Sequence, residues 1–232
     1  MPCDIGYKTY TPVRIPQPKP QVVKKSLPAP SVDADLLDKL GIDDKEFLSW
    51  ISNLDIIPLL EEALKRTLET NSPGKIKFSI TKSGGISTEY EHTTQGEKIV
   101  AEALAEKTLS NWQIQIFQIV TELLGYDTVI KTESSSGNEV LTLVAEEYGK
   151  THPCKYIRVS KSTNGNGEIT FEHFDTPEDL EKEKVKFTAL SQKLGIKIGL
   201  TTSPITGQPP PTTHDHAHDH QHGHGHTHKH EE

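Results

Sequence analysis

Cysteine is scarce in this chain of 232 residues, which contains two, Cys3 and Cys154. Cys3 lies in a proline-rich stretch, so we expect no structural disulfide, and a reducing compartment suits this composition. No apolar run reaches about 18 residues, and the first residues have neither the basic nor the apolar region of a signal peptide. These absences predict a cytoplasmic protein with no membrane partner.

An excess of basic charge is also missing. The chain has 25 Lys and Arg against 33 Asp and Glu, which gives a net charge of −8 with histidine neutral. General nucleic-acid binders present a clustered basic face, so nucleic acid is a disfavoured partner. The sequence also lacks the G-x-S-x-G, H-E-x-x-H and paired-carboxylate patterns of hydrolases. An enzyme is therefore the less favoured class, and no catalytic residue is predicted.

What the chain does contain is an alternating histidine run near its C-terminal end. Nine of its 12 histidines stand at every second position, separated by small or polar residues. Imidazole binds Ni, Zn, Co and Cu well, and several imidazoles on a flexible chain can reach one ion. The spacers cannot build a packed core, so residues 214–232 should be disordered without metal. The predicted metal ligands are His214, His216, His218, His220, His222, His224, His226, His228 and His230.

This tail resembles the His-rich ends of nickel and zinc metallochaperones, such as the urease accessory metallochaperone and the hydrogenase nickel-insertion GTPase. The resemblance is confined to residues 214–230 and implies capture of nickel or zinc, with cobalt and copper as alternatives. The body lacks the G-x-x-x-x-G-K-[ST] loop of a GTPase, so only metal binding is implied. A linker at 201–213, rich in Pro and Thr, should hold the tail up to roughly 40 Å from the body.

The N-terminal part divides into an arm and a helical segment. Residues 1–30 contain seven of the 15 prolines, which predicts an extended, flexible arm. That arm is either solvated or a strap that lies on this chain's own core or on a partner. Residues 31–72 have helical periodicity, with Asp33 as the cap of a first helix and a capping box of Asp43 and Glu46 before a second.

Residues 73–200 alternate strands, turns and helices, which predicts an α+β domain with an antiparallel sheet and helices on one face. A capping box of Thr94 and Glu97 should open a helical stretch that breaks near Ser110. Gly195 should end the last helix, which begins at Pro177. The predicted strands are the hairpin around 83–85, then 126–133, 139–147, 155–162, 168–174 and a short final strand at 196–200.

Two pairs of residues in this body are weaker metal-site candidates. Residues 75–106 and 155–186 repeat the order strand, turn, strand, helix, either by duplication or because such ββα units are common. If the units are duplicated, His92 and His173 could face each other as a metal site; otherwise they are ordinary strand-end residues. His152 and Cys154 place two metal-ligating side chains in one turn, although such a pair more often belongs to an ordinary loop.

The segment 113–149 resembles the start of some KH-type RNA-binding domains in its order of helix, strand, turn and strand. The G-x-x-G loop that clamps nucleic acid is absent, and Tyr148 to Thr151 stand in its place. Together these patterns predict a cytoplasmic accessory protein that binds divalent metal. The alternative is a protein-interaction or assembly factor that binds its partner through the arm or through residues 31–72, with an incidental tail.

Overall fold

The computed structural model describes residues 20–27, 41–135, 138–162 and 167–198. Within them the chain forms the predicted α+β arrangement, and no described helix is long and apolar enough to cross a bilayer. The predicted helix after Asp33 and the linker at 201–213 lie outside the described residues. The helices are α1 (Lys45–Ser52), α2 (Ile56–Thr70), α3 (Gln95–Leu123) and α4 (Pro177–Lys193). The strands are β1 (Gln21–Ser26), β2 (Lys77–Ile80), β3 (Ile86–His92), β4 (Tyr126–Ser135), β5 (Asn138–Glu147), β6 (Tyr156–Ser162) and β7 (Gly167–Glu172).

Helix α1 begins one residue later than predicted. Its cap is Asp44, whose Oδ1 accepts a hydrogen bond from the backbone N–H of Phe47 at 2.9 Å. The predicted capping box of Asp43 and Glu46 is therefore wrong, because Asp44 directly precedes the first helical residue and its side chain reaches the N–H three residues beyond itself. Asp44 Oδ2 also accepts from Lys186 Nζ of α4 at 2.9 Å, which ties the two helices together.

A three-stranded antiparallel sheet has the strand order β1-β3-β2. Its central strand buries Ile86, Thr88, Tyr90 and His92 on one face, as the period of two predicts. Residues 21–26 of the N-terminal arm form its edge strand β1, so this part is a strap on the chain's own body. Lys24 pairs with Glu89 and Lys25 with Glu102, both at 2.9 Å.

Helix α3 runs without interruption past Ser110, so the predicted break there is wrong. The predicted capping box is confirmed: Thr94 Oγ1 accepts from the N–H of Glu97, and Glu97 Oε2 accepts from that of Thr94, both at 3.2 Å. From Asn111 onwards the helix is buried on most sides, because α2 and the second sheet enclose it. In the sequence this change in burial is visible as a change from mostly polar to mostly apolar residues near Ser110, and such a change is also typical of the start of a new helix.

The second sheet is four-stranded and antiparallel, in the order β4-β5-β6-β7. One register row of its inner face contains Ile130, Leu143, Val159 and Ile169, all packed in the main core. Helices α3 and α4 cover this inner face, while Val129 on the outer face is 54% exposed. The single sheet expected from the sequence is thus two sheets joined by one long helix.

Helix α4 begins as predicted, with Thr176 as its cap and Pro177 in its first turn. It ends at a Schellman motif, in which Ile196 N–H donates to Ser191 O at 2.9 Å and Gly195 N–H donates to Gln192 O at 3.0 Å. The predicted strand at 196–200 is wrong for residues 196–198, because the helix end already uses the backbone donor of Ile196. Residues 199 and 200 lie outside the described part.

One large hydrophobic cluster joins the N-terminal helices to the four-stranded sheet. Phe187 of α4 stacks on Phe117 of α3, with ring centroids 5.7 Å apart, and meets Phe171 of β7 edge-on at 5.5 Å. Trp112 Nε1 donates to the carbonyl of Leu60 in α2 at 3.3 Å. The predicted segments 31–72 and 73–200 therefore share a core. A smaller cluster of Ile76, Tyr90 and Ala105 lies under the three-stranded sheet.

Candidate functional site

The predicted metal ligands, His214 to His230 at every second position, all lie outside the described residues. The described body contains the other three histidines, His92, His152 and His173, together with Cys154. The sequence predicts each of these four residues as a possible metal ligand. A metal site would need further ligands close to them.

His152 and Cys154 do come together. The Sγ atom of Cys154 is 3.8 Å from Nδ1 of His152, within the distance of a sulfur hydrogen bond. Cys154 is 3% exposed, whereas the histidine is on the surface. A closed zinc site needs four ligands, and an open one three protein ligands. This pair supplies two.

His92 is the last residue of β3 and His173 directly follows β7, at equivalent points of the two ββα units, β2-β3-α3 and β6-β7-α4. These units belong to different sheets. His92 is buried, with its ring 6.5 Å from that of Tyr90, while His173 is exposed beside Glu172. Among the residues that the structure describes, no three His, Cys, Asp or Glu side chains form a group that could hold a metal ion. The body-side site suggested by the repeat is thus not assembled there.

A buried pair of polar side chains was not foreseen from the sequence. Tyr126, at the start of β4, and the half-buried Glu183 of α4 lie close enough on the inner face of the sheet for each to affect the pKa of the other. Burial raises the pKa of Glu183, and the nearby Glu147 raises it further, against the opposing effects of Tyr126, Lys155 and Lys186. The pKa of Tyr126 is raised as well, first by burial and then by Glu183. Neither the groove beside α2 nor the cavity beside Lys161 is lined by this pair.

Lys161 is a second inward-facing polar residue. It follows Ile157 and Val159 on the same face of β6, and its Nζ donates to Gln113 Oε1 of α3. Burial lowers the pKa of this amine. It borders a cavity of about 200 Å³ between α3 and the sheet. The other lining residues are Ala103, Glu106, Lys107, Ser110, Asn111 and Leu141. The alternation of side chains along β6 could have predicted that Lys161 points inwards, because it follows Ile157 and Val159 at every second position.

An open groove of about 540 Å³ lies between α2 and β2. Leu64, Leu68 and Ile80 provide apolar wall, and the charged residues of α2 border it. The α2 side of the groove belongs to residues 31–72, which the sequence predicts as a possible surface for a protein partner. It has no ordered set of polar groups that would orient a small ligand.

The segment 113–149 has the helix, strand and strand order expected of it, through the second half of α3, β4 and β5. Tyr148, at the turn that follows, is 71% exposed, and Gly149 has a φ of 65°. RNA binding stays an untested and disfavoured prediction. No family model matches the chain, and neither the curated proteins nor the solved structures contain a match.

Proposed function

We propose that this protein is a cytoplasmic accessory protein that collects divalent transition metal, nickel or zinc in the first place, through the histidines of residues 214–230. The observation that carries the proposal is the set of nine imidazoles at every second position of one short segment. Cobalt and copper are alternatives, because imidazole nitrogen suits all four metals and affinity alone does not separate them. The resemblance to metallochaperone tails supports capture and delivery of metal.

The spacing favours reversible capture over a fixed catalytic site. Catalytic and structural metal sites hold their ligands rigidly and support them with a second shell of hydrogen bonds. The tail has Gly, Ala, Asp, Gln, Thr and Lys between its histidines, which offer no packing to fix them. Several imidazoles can therefore exchange on one ion, and nine can serve more than one. Such a segment loads and releases metal without rearranging the body.

Calorimetric titration of Ni²⁺ and Zn²⁺ into the full chain and into a chain ending at Thr213 tests this. We expect the full chain to bind several ions and the shortened chain to lose most of this capacity. His152→Ala combined with Cys154→Ala is the matched control, because it removes the nearest pair of ligands in the described body. A shortened chain with the full stoichiometry would show that the body binds the metal.

The pH dependence of binding identifies the ligand. Neutral imidazole is the ligand, and the unperturbed histidine pKa is about 6.5. Affinity should fall steeply between about pH 7.5 and about pH 5.5, with protons released on binding at intermediate pH. An isotherm that is the same across this range would identify carboxylates as the ligands instead.

A full chain that binds neither metal would leave the second function, that of a protein-interaction or assembly factor. In that case the arm and the helical segment 31–72 would be the recognition surfaces, and the tail would be incidental. Capture of a partner by the full chain that is lost on deletion of residues 1–19, with metal absent throughout, would support this alternative. Deletion of 214–232 is its control, because the alternative expects no effect there.

A further inference from the structure

Strand β4 is an edge of the four-stranded sheet, and within the described ranges β5 is the strand that pairs with it. Its ten residues pair one-to-one with β5 from Tyr126 to Ser135, with no proline and no bulge. A long, regular edge strand presents a row of backbone donors and acceptors to any other strand. Natural proteins protect such an edge by covering it, by interrupting it or by placing charges on it. In the described part of this chain β4 has no proline and no bulge, and its charges of both signs could either repel another strand or pair with it.

The exposed side chains of β4 are complementary to themselves. Asp127, Val129 and Lys131 alternate on the outer face of the sheet, and all three are exposed. When two copies of β4 run antiparallel about Val129, each Asp127 lies opposite Lys131 of the other copy. The two Val129 side chains then lie opposite each other, which covers the apolar group that is 54% exposed in the single chain.

The same charges disfavour neighbouring registers. A shift of two residues in one direction places Asp127 opposite Glu133, and like charges directly opposite each other are destabilising. A shift in the other direction places Asp127 opposite Val129 and leaves both outward charges without a counterion. In the register about Val129, Glu133 faces Gly125 and has no charge directly opposite it. Charge and burial therefore select one register out of three.

The sheet itself supplies a second, independent observation. Asp127 lies directly opposite Glu146 of β5, so two carboxylates share one row of the outer face. Nowhere in the described residues does a lysine or arginine form an ion pair with either of them. Lys131 of a second copy would arrive beside Asp127 and offset this repulsion. The row is thus unfavourable in the single chain and favourable in the pair.

We propose that two copies of this chain associate through their β4 strands, antiparallel about Val129, so that their four-stranded sheets become continuous. Backbone hydrogen bonds between the edges and the contact of the two valines hold the pair together, and the two Asp127–Lys131 pairs set its register. The proposed interface consists of β4, which contains no histidine, so the dimer should form without metal.

Sedimentation of the full chain in EDTA, across the micromolar range, measures the dimer without metal bridges between tails. Asp127→Lys and Lys131→Asp should each weaken the dimer about tenfold or more, because each replaces two attractive pairs by two repulsive ones. Glu133→Lys is the matched control, since it makes the same charge change on the same face of β4 but opposite Gly125. Its dissociation constant should stay within about twofold of the parent value.

Mixing the two weakened chains gives the decisive result. In a pair of one Asp127→Lys chain and one Lys131→Asp chain, both opposed pairs join unlike charges, so the mixture should associate where each chain alone does not. The double substitution in one chain should restore the homodimer for the same reason. A parent chain that is monomeric throughout, a mixture that fails to associate, or equal weakening by Asp127→Lys and Glu133→Lys would each overturn the proposal.

Discussion

The two sheets contain the same polar contact in opposite surroundings. In the three-stranded sheet Tyr90 of β3 donates to Glu102 of α3 at 3.2 Å, and Lys25 of the strap pairs with the same carboxylate at 2.9 Å. In the four-stranded sheet Tyr126 of β4 lies beside Glu183 of α4. Each pair joins a strand tyrosine to a helix glutamate, and the two glutamates respond in opposite directions.

The hydrogen bond and charge of Lys25 lower the pKa of Glu102 from its ordinary value of 4.5, although partial desolvation opposes them. Burial raises the pKa of Glu183 from the same ordinary value, because its lysines, Lys155 and Lys186, act at longer range. At the exposed Glu102 the nearest cation stabilises the ionised carboxylate. At Glu183, between α4 and the sheet, the loss of water has the larger effect on the pKa. The surroundings of each tyrosine–glutamate pair therefore determine the direction in which the pKa of its glutamate is shifted.

Helix α3 shows the same contrast along its length. Its first half packs one face on the small cluster with Tyr90 and leaves Ile99 58% exposed and Val100 67% exposed. Its second half is enclosed by α2, the four-stranded sheet and α4, and Ile114 there is 1% exposed. One helix therefore has two different roles, a cover for the small sheet and a central element of the main core.

The largest expected effect compares two isoleucines of this helix. Ile114→Ala should lower the free energy of unfolding by about 3–4 kcal/mol, because it deletes a fully buried side chain and leaves a cavity. Ile99→Ala makes the same chemical change in the exposed half and should cost about 0.5 kcal/mol or less. Urea unfolding of both variants measures the difference. Equal losses would mean that the two halves of α3 are covered to the same extent.

A smaller effect should come from the chain just beyond α4. Ile196 and Ile198 pack against the main core, and the Ile196 N–H closes the Schellman motif. A chain ending at Gly195 should therefore be less stable than one ending at Leu200 by about 1–2 kcal/mol. The chain ending at Leu200 should melt within about one degree of the full metal-free chain, since the tail should add nothing to the core. Identical melting curves for the two shortened chains would separate these isoleucines from the core.

Much of this fold could be predicted from local sequence signals. The capping box of Thr94 and the start of α4 at Pro177 are as predicted, because a helix start needs only a side chain within reach of a nearby N–H. The predicted ends of the strands of the second sheet lie within two residues of the observed ends, because the alternation of apolar side chains is also a local signal. The Gly-containing hairpin at 83–85 is confirmed for the same reason.

The remaining features depend on contacts distant in sequence. Nothing near Ser110 indicates that α3 continues from one sheet to the other. The sequence leaves the arm either solvated or a strap, because strand β1 forms only against its distant partner β3. Glu183 belongs to a helix rich in Glu and Lys, and local pattern assigns such residues to a solvated face. The histidine tail needs no distant contact for its chemistry, so its metal binding stays a prediction from sequence alone.

The smallest expected effect reverses sign between the two tyrosine–glutamate pairs. Glu183 has a raised pKa, so its contribution to stability is complete below about pH 4.5 and is lost as the pH rises through the folded-state value. Glu102 has a lowered pKa, so its contribution is complete above about pH 4.5 and is lost as the pH falls through the folded-state value. Glutamine keeps an acceptor for each tyrosine but cannot ionise.

Glu183→Gln should therefore leave the melting temperature unchanged or raise it by about 1–3 °C at pH 7, because a carboxylate that burial disfavours is replaced by a neutral amide. Glu102→Gln should lower the melting temperature at pH 7, since it removes the counterion of Lys25, and this loss should vanish as the pH approaches 3. Melting curves of both variants and the parent from pH 3 to pH 8 test the reversal. If both substitutions shifted the melting temperature in the same direction at pH 7, the burial of the two glutamates would not differ enough to shift their pKa values in opposite directions.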